Sequence, residues 1–387
     1  MHLQEILQKF DNQYGTGDKP AVYFSPGRVN LIGEHIDYNG GYVFPGALTL
    51  GIHGLTRPRI DGIVRFSSLN LPNTFEINLS DLLTYKPEQY WANYPIGVLA
   101  FLLKEGHKLQ GADVLFASNL PDGAGLSSSA ALEVLTAYMF LSEAGTKDID
   151  RISLARLAQR VENQFVGVNC GIMDQFSVAN GKKDHALLLN CQTLDFEQVP
   201  LQLREYSLVI MNTNKRRELA ESKYNERRGE CDRALAILNQ FEDFPDLCSA
   251  NMESVEKRIT DKVLKARSRH VITENERVIE ARKVLKEGDL KRFGDLLKAS
   301  HHSLRYDYEV TGHELDEITD AANEHPACLG SRMTGAGFGG CAIALVETAQ
   351  IANFQTSVSQ RYQLSSDLIP HFYVSQIGDG VHKLLMK

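Results

Sequence analysis

A glycine- and serine-rich stretch at residues 120–134 carries the strongest chemical signal in this 387-residue chain. It reads Leu-Pro-Asp-Gly-Ala-Gly-Leu-Ser-Ser-Ser-Ala-Ala-Leu-Glu-Val, so that two glycines and three serines precede an apolar, helix-forming run. The first backbone N–H groups of a helix have no partner within the helix and lie at the positive end of its dipole, so they can bind an anion without a lysine. The pattern favours a phosphate-binding loop, although an ordinary serine-capped helix is commoner.

The residues of this loop suit a nucleotide. Gly123 and Gly125 allow the backbone to approach a ligand closely, and the serine hydroxyls add hydrogen-bond donors or a magnesium ligand. A P-loop is excluded because that pattern ends in Gly-Lys-Ser/Thr and this stretch has no lysine. The predicted phosphate-binding residues are Gly123, Ala124, Gly125, Leu126, Ser127, Ser128 and Ser129.

A second polar segment, residues 26–41, reads Pro-Gly-Arg-Val-Asn-Leu-Ile-Gly-Glu-His-Ile-Asp-Tyr-Asn-Gly-Gly. We predict that it is rich in turns and follows a short strand at 21–24. Its candidate ligand-binding side chains are Arg28, Glu34, His35 and Asp37. Carboxylates and an imidazole can donate to and accept from adjacent sugar hydroxyls, and a pocket that pairs those hydroxyls rejects analogues. A single acidic loop residue is more often solvated, but four such groups within ten positions favour a binding pocket.

Two further segments establish a family resemblance. Residues 169–176 read Asn-Cys-Gly-Ile-Met-Asp-Gln-Phe, and residues 332–341 read Arg-Met-Thr-Gly-Ala-Gly-Phe-Gly-Gly-Cys. With the first two segments, they resemble the GHMP kinases, and the stretch at 27–38 resembles the galactokinase branch of that family. The resemblance extends from about position 20 to the C-terminal strand. The sequence departs from the family pattern at Ser25, where alanine is usual, at Ile36, where threonine is usual, and at Ala336, where glycine is usual. None of these departures removes a polar group from the predicted chemistry.

The resemblance implies ATP-dependent phosphorylation of the anomeric hydroxyl of galactose, giving galactose 1-phosphate and ADP. Asp174 matches the carboxylate that takes the proton from this hydroxyl, and Arg28 matches the basic residue beside it. These types suit phosphoryl transfer, which needs positioning and charge neutralisation. Ser129 and Glu162 match the ligands of Mg²⁺, which prefers oxygen donors. Without the resemblance, Glu162 on the polar side of a helix predicted at 154–165 would be interpreted as a solvated residue.

Further family positions map onto residues whose types suit a sugar or an adenine. The sugar-binding positions are Glu34, His35, Ile36, Asp37 and Tyr224. Trp91 and Tyr94 match aromatic positions near the adenine, and Ser68 matches a residue that touches the nucleotide. The commoner interpretation of a lone tryptophan is a packing residue, and the commoner interpretation of Ser68 is an exposed strand-end serine.

The late glycine loop at 335–340 also fits the dinucleotide pattern G-x-G-x-x-G. That pattern must follow a strand and open a helix, whereas this loop leads into an apolar run at 341–346 that reads as a buried strand. A protein-kinase glycine loop is excluded because no His-Arg-Asp or Asp-Phe-Gly follows. The resemblance implies that the loop packs beside the active site and supports the phosphate region.

Composition sets the protein class. Hydrophobic residues make up 43% of the chain and charged residues 23%, which suits a packed core divided into two domains. The net charge of −8 argues against nucleic acid as the main partner. Six cysteines without C-x-x-C spacing indicate reduced thiols and no zinc site. No run reaches membrane-spanning length. Together with the family resemblance, which implies galactose and ATP as partners, this leads us to expect a cytoplasmic, monomeric enzyme.

Strand-like and helical runs alternate in an α+β pattern. The predicted strands lie at 21–24, 111–118, 207–212, 341–346 and 370–375, and the best-marked helices at 127–143 and 222–238. The predicted domain junction at 200–205 divides the chain into an N-terminal domain at 1–203 and a C-terminal domain at 204–387. The resemblance implies a GHMP kinase-like fold whose active site lies in the cleft between the domains.

Two alternative functions stay open. One is a related sugar-1-kinase that phosphorylates N-acetylgalactosamine or arabinose and differs in pocket shape. The other is a regulator that binds galactose and ATP without phosphorylating the sugar. Such regulators resemble galactokinases but lack residues of the serine loop, and the complete Ser127–Ala131 stretch argues against this alternative.

Overall fold

The structure is a computed structural model that describes residues 3–121, 125–168, 170–215 and 220–385. In these ranges the helices are α1 (Leu3–Tyr14), α2 (Asn93–Lys104), α3 (Ser128–Glu143), α4 (Arg151–Arg160), α5 (Met173–Asn180), α6 (Ala220–Leu238), α7 (Met252–Arg258), α8 (Lys262–Glu287), α9 (Leu290–Tyr306), α10 (His313–Glu324) and α11 (Ile351–Ser366). A π-helical turn, Val161–Val166, continues α4, and short 3₁₀ turns include Asp37–Asn39.

The strands are β1 (Ala21–Asn30), β2 (Tyr42–Val43), β3 (Pro45–Arg59), β4 (Ile63–Ser68), β5 (Phe75–Asn78), β6 (Gly111–Ser118), β7 (His185–Asn190), β8 (Phe196–Pro200), β9 (Tyr206–Asn212), β10 (Cys328–Thr334), β11 (Cys341–Glu347), β12 (His371–Ser375) and β13 (His382–Leu384). They form a sheet of order β13-β1-β3-β6-β4-β5, a sheet of order β10-β11-β9-β12, and a sheet of order β2-β7-β8. Among these pairs only β4 and β6 run parallel.

The buried faces of these elements form a continuous core. Apolar side chains from β1, β3, α3 and α5 join those from β9, β11 and α8–α10 in one cluster, so the two halves of the chain pack against each other. A smaller cluster holds α1 on the first sheet, where Ile6 and Phe10 pack against Val22, Leu55 and Leu115. Helix α1 is therefore docked on the first sheet by its apolar face.

Local signals explain where several helices begin and end. Asp150 caps α4 by accepting from the N–H groups of Ile152 and Ser153, and Asp261 caps α8 in the same manner. Helix α8 ends at Gly288, whose φ of 74° terminates the helix with the left-handed conformation that glycine adopts without strain.

The predicted α+β pattern is confirmed, with differences at the elements that carry chemistry. The strand expected at 21–24 continues to Asn30, so Arg28 belongs to β1 and not to a turn. The register of β1 against β3 shifts between Pro26 and Arg28, and such a bulge re-aims the side chains that follow it. The helix expected at 154–165 changes to a π-helical turn after Arg160.

The C-terminal strand returns to the first sheet, where β13 pairs with β1. The first sheet thus contains a strand from each end of the chain, and the domain boundary at 203 and 204 stays a prediction. None of the helices in the described part of the chain has the length and apolar character needed to cross a bilayer.

Candidate active site

Arg28 and Asp174 form an ion pair although 146 residues separate them in the chain. The Arg28 Nε donates to Asp174 Oδ1 at 2.9 Å, and Nη2 donates to Oδ2 at 2.8 Å. This two-point geometry fixes both side chains more strongly than one contact would. Arg28 also donates from Nη1 to the Gly125 carbonyl oxygen at 2.8 Å, which ties the pair to the serine loop.

Ser127 connects this pair to the start of α3. Its hydroxyl donates to Asp174 Oδ2 at 2.6 Å, so it does not cap the helix that it precedes. Its φ of 62° and ψ of 47° are a left-handed conformation that is strained for a residue with a Cβ. The first N–H groups of α3 consequently have no side-chain cap from Ser127, and they remain available to an anion.

Two cavities meet at Asp174. One, of about 420 Å³, is lined by Glu34, His35, Asp37 and Tyr224 as well as by Asp174. The other, of about 400 Å³, is lined by the serine loop from Gly125 to Ser129 and also reaches Asp174. Both cavities share Arg28, Gly335 and Ala336. A hydroxyl bound in the first cavity and a phosphate bound in the second would therefore face each other across the Arg28–Asp174 pair.

Asp37 gives the first cavity an unusual carboxyl group. It begins the 3₁₀ turn Asp37–Asn39, and burial, reinforced by the negative charge of Glu34, raises its pKa to about 6. A carboxylate that has lost water without gaining a cation is a strong acceptor for ligand hydroxyls. Tyr224 lies beside it, with its ring 5.5 Å from that of His35 and 5.2 Å from that of Tyr38.

Glu34 joins the sugar-cavity segment to the late glycine loop. Its Oε1 accepts from the Gly335 N–H at 2.7 Å and from the Thr334 hydroxyl at 3.1 Å, and it lies 3.0 Å from Arg332 Nη2. Its Oε2 accepts from Asn30 Nδ2 at 2.9 Å. The buried charge of Glu34 is thus fully paired within the protein, and this pairing fixes the position of Gly335.

Glu162 lies beneath the serine loop. Ser129 donates to its Oε1 at 3.0 Å, and Gln175 Nε2 donates to its Oε2 at 2.6 Å. Glu162 belongs to the π-helical turn and is only 7% exposed, so interpreting it as a solvated helix residue is wrong. The extra residue of a π turn rotates the side chains that follow, and such turns often occur at functional sites. Burial raises the pKa of Glu162.

A buried acid lies behind this carboxylate. Glu133, one helical turn after Ser129 in α3, is fully buried, and burial together with the neighbouring Glu162 raises its pKa to about 10. A neutral carboxyl group at this depth adds no second negative charge beside Glu162.

Comparison with known proteins matches this geometry to a family. The galactokinase galactose-binding signature matches residues 8–58, the GHMP kinases N terminal domain matches 93–182, and the GHMP kinases C terminal domain matches 281–364. The galactokinase of Clostridium tetani is 48% identical over 99% of this chain and 98% of its own length. That of Enterococcus faecalis is 50% identical over 99% of this chain and 100% of its own length. The chain belongs to the galactokinases of the GHMP kinase family.

Solved structures agree with this assignment. The structure of Lactococcus lactis galactokinase complexed with galactose has a TM-score of 0.91 and 43% identity, covering 99% of this chain and 100% of the other. The Methanococcus jannaschii mevalonate kinase has a TM-score of 0.68 at 17% identity over 94% of this chain and 100% of its own, a likeness that concerns the fold alone. The expected GHMP kinase fold and the expected family are therefore confirmed.

The galactokinase site brings together most of the residues that the sequence predicted. Hydrogen bonds join Asp174 to Arg28 and to Ser127, and a separate hydrogen bond joins Ser129 to Glu162. The predicted loop residues Gly125, Leu126 and Ser128 line the second cavity, whereas Gly123 and Ala124 lie outside the described residues.

Other predicted residues lie away from these two cavities. Ile36 is fully buried in the core. Trp91 donates from Nε1 to the Pro72 carbonyl oxygen at 3.1 Å, and Ser68 accepts from the N–H groups of two following turn residues. Burial, with the charge of Glu162 next in size, raises the pKa of Tyr94 to about 12. The contacts of Ser68, Trp91 and Tyr94 with a nucleotide, and that of Ile36 with the sugar, stay predictions.

Sequence reasoning missed the residues that support this site. Gln175 stands directly after Asp174 in the quoted motif, but no pattern indicated that its amide would donate to Glu162. Ala336, which replaces a family glycine, shows no positive φ in a loop where Gly335, Gly337 and Gly339 do. The replacement therefore fits the backbone without strain. The network of Tyr38 and Tyr308 with His35 likewise carried no signal in the sequence.

Proposed function

We propose that this chain transfers the γ-phosphoryl group of ATP to the anomeric hydroxyl of galactose, with Asp174 and Arg28 as the catalytic pair. The observation that carries the proposal is the position of Asp174 at the junction of a hydroxyl-binding cavity and a serine-loop cavity. The galactokinase relatives, similar over nearly the whole chain, support both the reaction and the sugar.

The proposed step assigns one task to each residue. The anomeric O–H group gives its proton to Asp174 as its oxygen forms a bond to the γ-phosphorus, and the bond from that phosphorus to the β–γ bridging oxygen breaks to release ADP. Arg28 holds Asp174 through two hydrogen bonds and places a positive charge near the transferred group. Charge that is already in position stabilises a transition state without reorganisation, which is the main requirement of phosphoryl transfer.

The serine loop supports the phosphates by its backbone. The N-terminus of α3 presents N–H groups that its preceding residue does not cap, since the Ser127 hydroxyl is directed to Asp174. The left-handed conformation of Ser127 therefore serves two purposes in the proposal: it orients the proton acceptor and leaves the helix start open for phosphate oxygens.

Magnesium suits the residues beside this loop. The Glu162 carboxylate accepts hydrogen bonds from the neutral side chains of Ser129, Gln175 and Cys170, so a divalent cation would satisfy a buried carboxylate that has no ion pair among the described residues. Ser129 and Glu162 would hold the ion, and both supply the oxygen donors that it prefers. When bound, Mg²⁺ neutralises phosphate charge.

Turnover of a sugar panel with magnesium-ATP tests the proposal. Release of ADP is measured with galactose, N-acetylgalactosamine, arabinose and glucose, and the phosphorylated carbon is identified by ³¹P–¹H correlation. We expect galactose to give the highest kcat/KM and the product to carry phosphate at C1. Preference for another sugar would identify a related sugar-1-kinase instead. Binding of galactose and ATP without any turnover would identify a regulator.

A further inference from the structure

A chain of hydrogen bonds runs behind the sugar cavity to the late glycine loop. His35 Nε2 lies 3.2 Å from the Ala336 carbonyl oxygen, and His35 Nδ1 lies 2.9 Å from the Tyr38 hydroxyl. The Tyr38 hydroxyl lies 2.8 Å from that of Tyr308, which lies 3.1 Å from Cys231 Sγ. These residues come from four separate parts of the chain, and Tyr308 is fully buried.

The carbonyl at one end determines the direction of the bonds. A carbonyl oxygen can only accept, so His35 must carry a proton on Nε2 and donate it to Ala336. In a neutral imidazole the other nitrogen then accepts, and the Tyr38 hydroxyl must donate to Nδ1. Because Tyr38 has one hydroxyl proton, its contact with Tyr308 requires Tyr308 to donate. One backbone carbonyl therefore sets the orientation of two tyrosine hydroxyls.

The surroundings of His35 keep it neutral. Burial lowers its pKa to about 4, against the opposing influence of the neighbouring Glu34, while Arg227 and Arg332 lower it further. The ring lies between two tyrosines, with ring centres 5.0 Å from Tyr308 and 5.5 Å from Tyr224. If His35 also carried a proton on Nδ1, both Nδ1 and the Tyr308 hydroxyl would donate to the Tyr38 oxygen. The Tyr38 hydroxyl could then no longer donate to His35, and its proton would have to reorient.

We propose that Tyr38 and Tyr308 are positioning residues, which stabilise the Nε2–H tautomer of His35 that the Ala336 carbonyl requires and thereby help His35 to hold Ala336 at the junction of the sugar and phosphate cavities. Ala336 lines both cavities. It lies in a loop where Gly335, Gly337, Phe338 and Gly339 all have positive φ values. Further along this loop, the Phe338 N–H donates to the Val310 carbonyl oxygen at 2.8 Å. Glu34 anchors the Gly335 N–H, and His35 anchors the next residue by its carbonyl.

This arrangement gives His35 a defined task. Both of its ring nitrogens are used within the protein, one by Ala336 and one by Tyr38. His35 therefore acts on the sugar through the shape of the cavity and the position of the loop. Tyr38 stabilises the tautomer directly by donating to His35 Nδ1. Tyr308 acts indirectly, by donating to the Tyr38 hydroxyl.

The tautomer can be measured in the unmodified protein. A long-range ¹H–¹⁵N correlation spectrum at pH 7.5 distinguishes protonated from unprotonated ring nitrogens, and comparison with His35→Gln identifies the His35 signals among the 12 histidines. We expect Nε2 to be protonated and Nδ1 to be unprotonated and hydrogen-bonded. A His35 that carries its proton on Nδ1, or on both nitrogens, overturns the proposal.

Kinetics separate positioning from packing. Tyr38→Phe removes the donor to Nδ1, and we expect kcat/KM for both galactose and ATP to fall roughly 2- to 10-fold, the effect of one net hydrogen bond. Tyr308→Phe removes a more deeply buried hydroxyl yet leaves the Tyr38 donor in place, so it should lower thermal stability but change kcat/KM less. Tyr14→Phe is the control, because Tyr14 donates to the Val114 carbonyl at 2.8 Å on the first sheet.

The outcomes are distinct. If Tyr38→Phe changes stability but neither kcat/KM value nor the His35 spectrum, the two tyrosines only pack, and the proposal is wrong. The kinetic part rests on the proposed function, whereas the spectrum does not require turnover. Phosphorylation of galactose by a protein with Nδ1–H overturns this inference alone, and an Nε2–H tautomer in a protein without turnover overturns the proposed function alone.

Discussion

Replacing Asp174 with asparagine tests the catalytic pair at its centre. Asp174 Oδ1 accepts from Arg28 Nε, and Oδ2 accepts from both Arg28 Nη2 and Ser127 Oγ. The amide of asparagine has one donor group in place of one of these acceptors. In either orientation, its N–H₂ group faces an N–H group of Arg28. The substitution therefore removes the proton acceptor and also leaves a donor opposed to the guanidinium of Arg28, a residue that is 6% exposed.

The expected effects differ in size. Loss of a general base lowers kcat by roughly 10²- to 10⁴-fold. Loss of the charged partner of a buried arginine should lower the free energy of unfolding by about 1–3 kcal/mol, the penalty for an unsatisfied buried group. The hydroxyl-binding side chains Asp37 and Tyr224 are unchanged, so galactose binding should largely persist. Catalysis and stability thus respond to one substitution for two separable reasons.

Three measurements separate these effects. A coupled assay of ADP release gives kcat, calorimetry gives the dissociation constant of galactose, and chemical denaturation gives the free energy of unfolding. Asp261→Asn is a matched control, because Asp261 caps α8 by accepting from the Val263 N–H at 2.7 Å and asparagine caps helices equally well. The control should retain normal kcat.

Combining substitutions tests whether the two residues act as a unit. Arg28→Ala should lower kcat more than ATP affinity, since its charge matters most as charge develops on the transferred group. The double variant with Asp174→Asn should lose less activity than the product of the single losses. Near-normal turnover by Asp174→Asn would refute its assignment as the proton acceptor.

Three further predictions concern the surrounding groups. The folded pKa of Asp37, about 6, exceeds its ordinary value of 3.8, so the neutral carboxyl group favours the fold at low pH and this stability is lost as the pH rises from about 4 to about 6. Asp37→Asn should therefore raise the free energy of unfolding by about 1–3 kcal/mol at pH 8 and leave it unchanged below pH 4, while weakening galactose binding. If denaturation experiments show the same stability difference between this variant and the wild type at pH 4 and at pH 8, the prediction is wrong. Glu162→Ala should raise the magnesium requirement far more than the galactose requirement, and an unchanged magnesium titration would remove Glu162 from the metal site. Glucose should be a poorer substrate by about 1–3 kcal/mol or more in transition-state binding, and equal kcat/KM values would contradict this.

Much of the architecture could be predicted because its causes are local. The strand at Gly111–Ser118 has the predicted bounds, and α3 begins within one residue of its predicted start. Glycines and capping side chains mark such boundaries in the sequence itself. Prediction failed where long-range packing decides the conformation. Pairing with β3 extends β1 to Asn30, and the π turn at Val161–Val166 replaces an α-helical turn that the polar pattern favoured.

In the candidate site, too, the residue types could be predicted from the sequence, whereas the contacts that depend on packing could not. The motifs identified Arg28, Asp174 and Ser129 by residue type and resemblance, and the structure brings them together. The burial of Glu162 was not predictable from a charged residue in a helical pattern, because burial depends on what packs against that face. The hydrogen bond from Ser127 to Asp174 was also not predictable, because a serine that precedes a helix ordinarily caps that helix.

The sequence by itself determined the loop chemistry, the types of the reacting groups and the family. These properties follow from residues close together in the chain, where backbone geometry limits the possible conformations. Only the tertiary structure decided which groups touch. Arg28 and Asp174 are 146 residues apart, and Glu34 and Gly335 are 301 residues apart, yet each pair is joined by a hydrogen bond shorter than 3 Å. No local rule predicts such contacts, because they depend on how β1, α5 and the late glycine loop pack around one buried core.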